Sequence, residues 1–315
     1  MQNNSSLNTY YFQLTLYADF TPLNGLFFIL CLLFYMTIIC TNVGIILIVY
    51  QEKSLHQPMY IFICCLSVNA LFGTAGFFPR FLVDILSDTH WISRPSCFIQ
   101  MYVIYMYATC ELSILSIMAY DRYIAICQPL YYHSKITLNT VLHLIIFALS
   151  YPAFACCLGL CLTAQLPLCG NKLHRLFCSN WPVVKLSCVD VTLINLTGLL
   201  VIIPTIFIPL FFVLYTYLRI LLVCRRSSAT DRGKALQTCL PHTVSFVTFS
   251  LSFFCELSLA RYETVKMSPG IILVLSIVHL VIPPINNPVV YGLKLPQIKA
   301  LIFMKVRKVR PAFKL

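Results

Sequence analysis

Charged residues are scarce in this sequence. Only 10% of the 315 residues are Asp, Glu, Lys or Arg, whereas soluble domains contain about 25%, and 59% of the chain is hydrophobic. A soluble globular protein is therefore excluded. Apolar runs of about 20 residues, the length that crosses a bilayer core of about 30 Å, occur at 24–50, 58–82, 98–122, 140–164, 195–222, 238–260 and 269–292. We predict an all-α membrane protein with a seven-transmembrane helix bundle.

Positive charge is missing from the first 23 residues, and no short apolar core there precedes a small-residue cleavage site. A cleavable signal peptide is therefore not expected, and the first span is predicted to act as the signal anchor. Cytoplasmic loops are enriched in Lys and Arg. With the N-terminus outside, 15 of the 22 cations lie on the inner side. We therefore predict a multi-pass plasma-membrane protein with an extracellular N-terminus.

The same distribution explains the net charge of +12, so nucleic acid is not expected as a partner. We assign residues 1–23 to an extracellular tail, 24–292 to the helix bundle and 293–315 to a cytoplasmic amphipathic helix and tail, all within one domain. Apolar residues alternate with lysines after the seventh span, which is typical of a helix lying on an anionic lipid surface. Sequons at Asn3 and Asn4 predict glycosylation of the tail.

Catalytic and transport motifs are also missing. The spans contain no G-x-S-x-G, no H-E-x-x-H and no paired mid-membrane aspartates. Related halves with polar breaks near the midplane, which are typical of transporters, are not visible. We therefore expect neither an enzyme nor a transporter.

Four of the 16 cysteines are predicted to lie outside the membrane, namely Cys97, Cys169, Cys178 and Cys188. In an oxidising space they can form two disulfides, with three connectivities open. A helix from Cys97 to Arg122 would be roughly 37 Å long. Asp121 and Arg122 are therefore predicted at the inner rim of the membrane, where they suit a cytoplasmic partner.

Several motifs resemble the olfactory (odorant) receptor family of rhodopsin-like G-protein-coupled receptors. They are LHQPMY (55–60), MAYDRYIAIC (118–127), KALQTCLPH (234–242) and NPVVYGLKLPQIK (287–299), together with the three-cysteine outer loop. The short loops and LSVN (66–69) are more similar to the fish-type branch. The resemblance covers nearly the whole chain and implies the pairs Cys97–Cys178 and Cys169–Cys188.

By this resemblance, the protein senses a small-molecule odorant. It would activate a heterotrimeric G protein of the olfactory or stimulatory type and raise cyclic AMP in olfactory sensory neuron cilia. A non-olfactory rhodopsin-like receptor is the alternative.

The resemblance also implies a switch at the inner rim. In the resting state Asp121 holds Arg122, and on activation Arg122 contacts Tyr217, Tyr291 and the G protein. Lys234 and His242 lie eight residues apart and so face the same side of span six, while Pro288 interrupts the hydrogen bonds of span seven. The predicted coupling and activation residues are Asp121, Arg122, Tyr123, Tyr217, Lys234, His242, Asn287, Pro288 and Tyr291.

Glu111 lies deep in span three, about 16 Å above Arg122. It cannot remain ionised there without a partner. The resemblance implies a sodium ion shared with an acid on span two, but Ala70 occupies that position. Either Asn69 and Asn287 help Glu111 to keep a weakened sodium site, or the site is lost. We expect the loss, and we expect no other cofactor.

The predicted ligand pocket lies in the outer halves of spans three, five and six. Ile104 stands where amine receptors carry an acid, which disfavours cationic amines. Arg261, roughly 28 Å from His242 along span six, is predicted at the outer mouth, where it would suit an anionic ligand unless it snorkels or pairs with Glu256 or Glu263. The predicted walls are Tyr105, Ala108, Thr109, Ile202, Thr205, Ser250, Phe253, Leu257 and Arg261, and most of them are apolar, as pocket walls usually are.

Overall fold

The computed structural model describes residues 10–19, 24–226, 228–261 and 267–294. The sequons at Asn3 and Asn4, Glu263 and the predicted amphipathic segment from residue 295 lie outside the described residues. The same holds for the side chain of Lys234, although its backbone is part of a helix.

Seven long helices form the described part of the fold, and we number them α1 to α7. Each is long and apolar enough to cross a membrane, which confirms the predicted seven-helix bundle. Helices suit this environment because each satisfies its own backbone hydrogen bonds where water is absent. The helices are α1 Asn24–Gln51, α2 Pro58–Leu86, α3 Arg94–Cys127, α4 Leu138–Ala164, α5 Thr192–Arg225, α6 Ala229–Arg261 and α7 Pro269–Lys294.

Short polar side chains fix where α3 and α4 begin. The Ser93 hydroxyl accepts a hydrogen bond from the Ser96 amide at 3.3 Å, and the Thr137 hydroxyl accepts one from the Thr140 amide at 3.2 Å. Each satisfies an amide that the first helical turn leaves without a partner. Both loop-to-helix transitions are therefore specified locally.

Proline in α7 is compensated by a side chain from α1. Pro288 has no N–H to donate to the carbonyl of Pro284, four residues earlier. The Asn42 side-chain amide, which is fully buried, donates to that carbonyl at 2.9 Å. This hydrogen bond gives the Pro284 carbonyl the partner that Pro288 cannot supply, and it joins α1 to α7.

Glycine allows α2 and α3 to approach closely. A Cβ at Gly73 would overlap the ring of Tyr107, and one at Gly76 would overlap the side chain of Val103. Tyr107 is fully buried as a result. The α2–α3 contact therefore requires glycine on α2 at these two positions.

A small β-sheet covers the end of the bundle that we call outer. Strand β1 (Tyr11–Leu14) pairs antiparallel with β2 (Trp91–Ser93) and parallel with β3 (Lys172–Leu173). Strand β1 lies within residues 1–23, which the sequence assigns to an extracellular tail, and adds local structure that the sequence analysis does not predict. The strand forms here because every second residue is buried, namely Phe12, Leu14 and Leu16. A strand with one buried face requires this period of two.

Candidate functional site

Two disulfides hold the loop between α4 and α5 over the outer end. Cys178 is bonded to Cys97 at the start of α3, and Cys169 is bonded to Cys188 within the loop. These are the pairs that the resemblance implies. The Tyr17 hydroxyl of the N-terminal segment donates to the Leu176 carbonyl at 2.8 Å. Loop, N-terminal segment and α3 therefore form one outer cap.

A cavity of about 450 Å³ lies beneath this cap, between α3, α4, α5 and α6. Seven of the nine predicted wall residues line it: Tyr105, Thr109, Ile202, Thr205, Phe253, Leu257 and Arg261. Ala108 and Ser250 do not, and this corrects the prediction for those two. Each residue of a helix is turned by about 100° from its neighbour, so Ala108 faces another side of α3 than Thr109. The cavity is a candidate ligand site.

Most hydroxyl groups in the cavity wall already have partners within the protein. Thr109 donates to the Tyr105 carbonyl at 2.7 Å, and Thr205 donates to the Val201 carbonyl at 2.7 Å. The Tyr105 hydroxyl accepts a hydrogen bond from the Asn180 amide at 2.9 Å. The wall therefore presents chiefly apolar surface to a ligand.

Arg261 brings a positive charge to the cavity. Its Nη1 donates to Asn195 Oδ1 on α5 at 2.7 Å, and its guanidinium lies 4.3 Å from the centre of the Trp181 ring. Both partners are neutral, so the charge is positioned without being neutralised by them. The predicted alternative of an ion pair with Glu256 is wrong, because Glu256 pairs with Arg175.

The Arg175–Glu256 ion pair joins the outer cap to α6. Arg175 follows β3 and is only 1% exposed, and Glu256 is 7% exposed. The guanidinium also lies 5.6 Å from the centre of the Phe177 ring. Sequence reasoning missed this pair because its members are 81 residues apart, and no local spacing links them.

His279 of α7 lies next to the cavity wall, and sequence reasoning missed it as well. Its ring is 99% buried and stands 5.3 Å from the Phe253 ring, which also lines the cavity. Tyr107 and Phe249 complete the aromatic surroundings, with ring centres 5.5 and 5.3 Å from His279. A ligand that displaces Phe253 would thus disturb contacts to α3 and α7.

Glu111 joins three helices in the middle of the bundle. Its Oε2 accepts a hydrogen bond from Asn69 of α2 at 2.7 Å, and its Oε1 accepts one from Asn287 of α7 at 2.6 Å. Asn69 also donates to the Tyr107 carbonyl at 3.0 Å. The two asparagines therefore supply the polar partners that this fully buried carboxyl group requires.

At the inner end, Asp121 holds Arg122 as predicted for the resting state. Asp121 Oδ2 accepts from Arg122 Nε at 3.0 Å, and Oδ1 accepts from the Tyr132 hydroxyl at 2.8 Å. Burial, and then the neighbouring carboxylate of Asp121, raises the pKa of Tyr132. Tyr132 therefore stays protonated and remains a donor. It belongs to the short helix Tyr132–Lys135 and was missed in the sequence.

His242 connects α6 to α3 and α5. Its Nε2 lies 2.7 Å from the Leu115 carbonyl, which can only accept, so Nε2 carries a proton. In a neutral ring Nδ1 is then the acceptor. It accepts a hydrogen bond from the Tyr217 hydroxyl. Tyr217 is thus bonded to His242 and not to Arg122. Tyr291 is fully buried beside this region.

Comparison with known proteins decides the family. The family model for olfactory receptors matches residues 30–308. The chain belongs to the olfactory receptor family. Olfactory receptor 5M5 of Mus musculus is 32% identical over 312 residues, covering 98% of this chain and 96% of the mouse protein. Olfactory receptor 51L1 of Homo sapiens is 33% identical over 287 residues, covering 88% of each chain.

The fold is that of rhodopsin. The crystal structure of squid rhodopsin superposes with a TM-score of 0.71 at 15% identity, covering 91% of this chain and 82% of that chain. The protein is therefore an odorant-sensing G-protein-coupled receptor, a multi-pass membrane protein whose partners are a small-molecule ligand and a G protein. The resemblance to the fish-type branch stays a prediction.

The centre of this olfactory receptor does not fit a sodium ion as arranged. Both Glu111 oxygens accept amide N–H groups, and Ala70 has no carboxylate at the position where the resemblance implies a second acid. Among the described residues, no group of three or more His, Cys, Asp or Glu could hold a metal.

We predict that replacing sodium with a bulky organic cation leaves basal cyclic AMP unchanged in the wild-type receptor. Ala70→Asp adds the second carboxylate and should make basal cyclic AMP fall as sodium is restored. Ala70→Asn, which adds a polar group without charge, is the matched control. A sodium response in the unmodified receptor that disappears in Glu111→Gln would contradict this account.

The buried ion pair of the outer cap gives a second prediction. Losing one partner leaves a buried unpaired charge, which typically costs about 3–5 kcal/mol, whereas replacing both partners is often nearly neutral. Arg175→Met and Glu256→Gln should each lower the thermal unfolding midpoint of the purified receptor. The double variant should recover part of that loss, and strictly additive losses would show that the two residues are not coupled.

Proposed function

We propose that the receptor binds its odorant in the cavity beneath the outer cap, and that the preferred ligand is a small apolar molecule with an anionic group. Apolar walls support the first part, because they favour burial of hydrocarbon. Arg261 supports the preference for an anionic group, since its charge borders the cavity and its partners, Asn195 and Trp181, are neutral. This charge also disfavours cationic amines, in agreement with Ile104 on α3.

We further propose that the receptor signals and does not catalyse a reaction. Its G protein would be of the olfactory or stimulatory type, so that an odorant raises cyclic AMP. The N-terminus would be extracellular, in the plasma membrane of olfactory sensory neuron cilia. Coupling to a G protein is supported by Tyr217 and His242, whose hydrogen bonds join α3, α5 and α6 at the inner end, and by Asp121, which holds Arg122 at the same end.

The proposed sequence of events begins at Phe253 and Leu257, which line the cavity on α6. A ligand that presses on these residues moves α6 relative to α3. The contact of His242 with the Leu115 carbonyl, on the same two helices, is then broken. Arg122 becomes available to the G protein when Asp121 releases it.

A ligand screen with a charge variant tests the proposed site. Straight-chain carboxylic acids, their methyl esters, the matching alcohols and amino acids should be compared by evoked cyclic AMP. Arg261→Gln should raise the half-maximal concentration of an active acid about tenfold or more, since a hydrogen bond to a charged group contributes roughly 1.5–3 kcal/mol.

The matched control is Lys185→Gln. Lys185 is a nearby cation, with its Nζ 5.8 Å from the centre of the Trp181 ring, but it does not line the cavity. It should leave the response unchanged. If the Arg261 variant responds to acids like the wild type, Arg261 does not bind the ligand.

The inner end gives a prediction for coupling. Arg122→Ala should abolish evoked cyclic AMP at unchanged surface level, because it removes the group offered to the G protein. Tyr132→Phe removes one hydrogen bond to Asp121 and should raise basal cyclic AMP. Tyr131→Phe is its control, since Tyr131 is 61% exposed and does not contact Asp121. A normal evoked response in Arg122→Ala would refute the assignment.

A further inference from the structure

The cavity is covered on its outer side. The short helix Asn180–Val184 lies across it and contributes Asn180, Trp181 and Val184 to its lining. Cys178, just before this helix, is fixed to α3 by a disulfide, and Trp181 is covered by the Arg261 guanidinium at 4.3 Å. Direct entry from the water above would require this cap to move.

The cavity continues to the lipid-facing side of the bundle between α5 and α6. Ile203 of α5 and Phe254 of α6 both line the cavity, yet they are 47% and 48% exposed. Ser258 of α6 lines the cavity and is exposed as well. These residues lie within helices that are long and apolar enough to cross a membrane, so in a bilayer the sides of α5 and α6 that they expose would face hydrocarbon. Cavity and bilayer therefore share a boundary here.

This opening, which we call the lateral window, has a defined upper and lower edge. The upper edge is the hydrogen bond between Arg261 and Asn195 at 2.7 Å. The lower edge is the edge-to-face contact of Phe207 with Phe254, whose ring centres are 6.4 Å apart. From Phe254 to Arg261 the helix rises about 10 Å. This rise sets the height of the window along α6.

Small side chains keep the window open. Gly198 of α5 lines the cavity, and a Cβ there would meet no atom within 4 Å. Ser258 lies on the facing part of α6 between the two edges. A larger residue at either position would occupy the space between the helices.

We propose that the lateral window is the entrance through which an odorant with an apolar chain passes from the bilayer into the cavity, an acid entering in its neutral, protonated form and losing the proton beside Arg261. An apolar ligand is already concentrated in lipid, since each methylene favours that phase by a factor of about four. A route through the window also leaves the outer cap and its two disulfides undisturbed. This inference rests on the proposed function only in naming the odorant as the molecule that enters.

Cys156 provides a test that does not depend on any odorant. It is a free, partly buried cysteine that lines the cavity. The receptor in lipid nanodiscs is treated either with N-ethylmaleimide, which dissolves in lipid, or with a permanently charged thiosulfonate. The thioether formed by the maleimide, or the mixed disulfide formed by the thiosulfonate with release of sulfinate, is then located at Cys156 by non-reducing peptide mass spectrometry, which separates it from the other free cysteines.

N-ethylmaleimide should label Cys156 and the charged reagent should not. Ser258→Trp should slow labelling by N-ethylmaleimide about tenfold, because the indole fills the window. Leu251→Trp is the matched control, since Leu251 lies two turns away on the same face of α6, is 63% exposed and does not line the cavity. It should label at the wild-type rate.

Ile203→Trp closes the window from α5 and serves as a second variant if Ser258→Trp does not fold. Labelling of Cys156 by the charged reagent at the rate of N-ethylmaleimide would overturn the proposal, as would wild-type labelling in both window variants. If instead no odorant acts through the cavity, the labelling pattern is unaffected. The two failures are therefore distinguishable.

Discussion

The structure depends on the hydrogen bonds that α3 forms with its neighbours along its whole length. A polar group in hydrocarbon has no water to bind, so each one must find a partner in another element. Tyr105 binds the outer cap, Glu111 binds α2 and α7, and the Leu115 carbonyl binds α6. Asp121 holds Tyr132 beyond the inner end. These bonds fix α2, α6 and α7 relative to α3.

This arrangement explains how a ligand and a G protein can act on the same helices at opposite ends. The cavity borders α3 and α6 on the outer side, and His242 joins the same two helices on the inner side. Phe253 lines the cavity and also contacts His279 of α7. A ligand bound in this cavity would therefore act on groups with few hydrogen-bond partners, and breaking one of these bonds would change the relative position of whole helices.

Much of this could be predicted from the sequence, and the failures have physical causes. Hydropathy alone predicts the seven helices, because a span must be long and apolar. The role of Asn69 and Asn287 beside Glu111 was also foreseeable, since a buried acid needs donors. The pair of Arg175 and Glu256 was not, because it depends on how a long loop folds back. Ala108 was misplaced because helix phase relative to a cavity is not encoded in composition.

Strand β1 is a different case, because its signal was present in the sequence. Phe12, Leu14 and Leu16 alternate with polar or exposed residues, which is the pattern of a strand with one buried face. The long apolar spans dominate the hydropathy pattern of the sequence. The short alternation of apolar and polar residues before them contributes little to that pattern. The membrane pattern therefore masked a small element that completes the outer cap.

The central claim is that binding in the outer cavity separates the inner ends of α3 and α6. It is tested most directly by the distance between spectroscopic labels at Leu130, which follows α3 and is 94% exposed, and at Arg232, exposed near the start of α6. Labels attached through unnatural amino acids leave the cysteines untouched. The account predicts that an odorant that raises cyclic AMP also lengthens this distance. A full cyclic AMP response with an unchanged distance would contradict it.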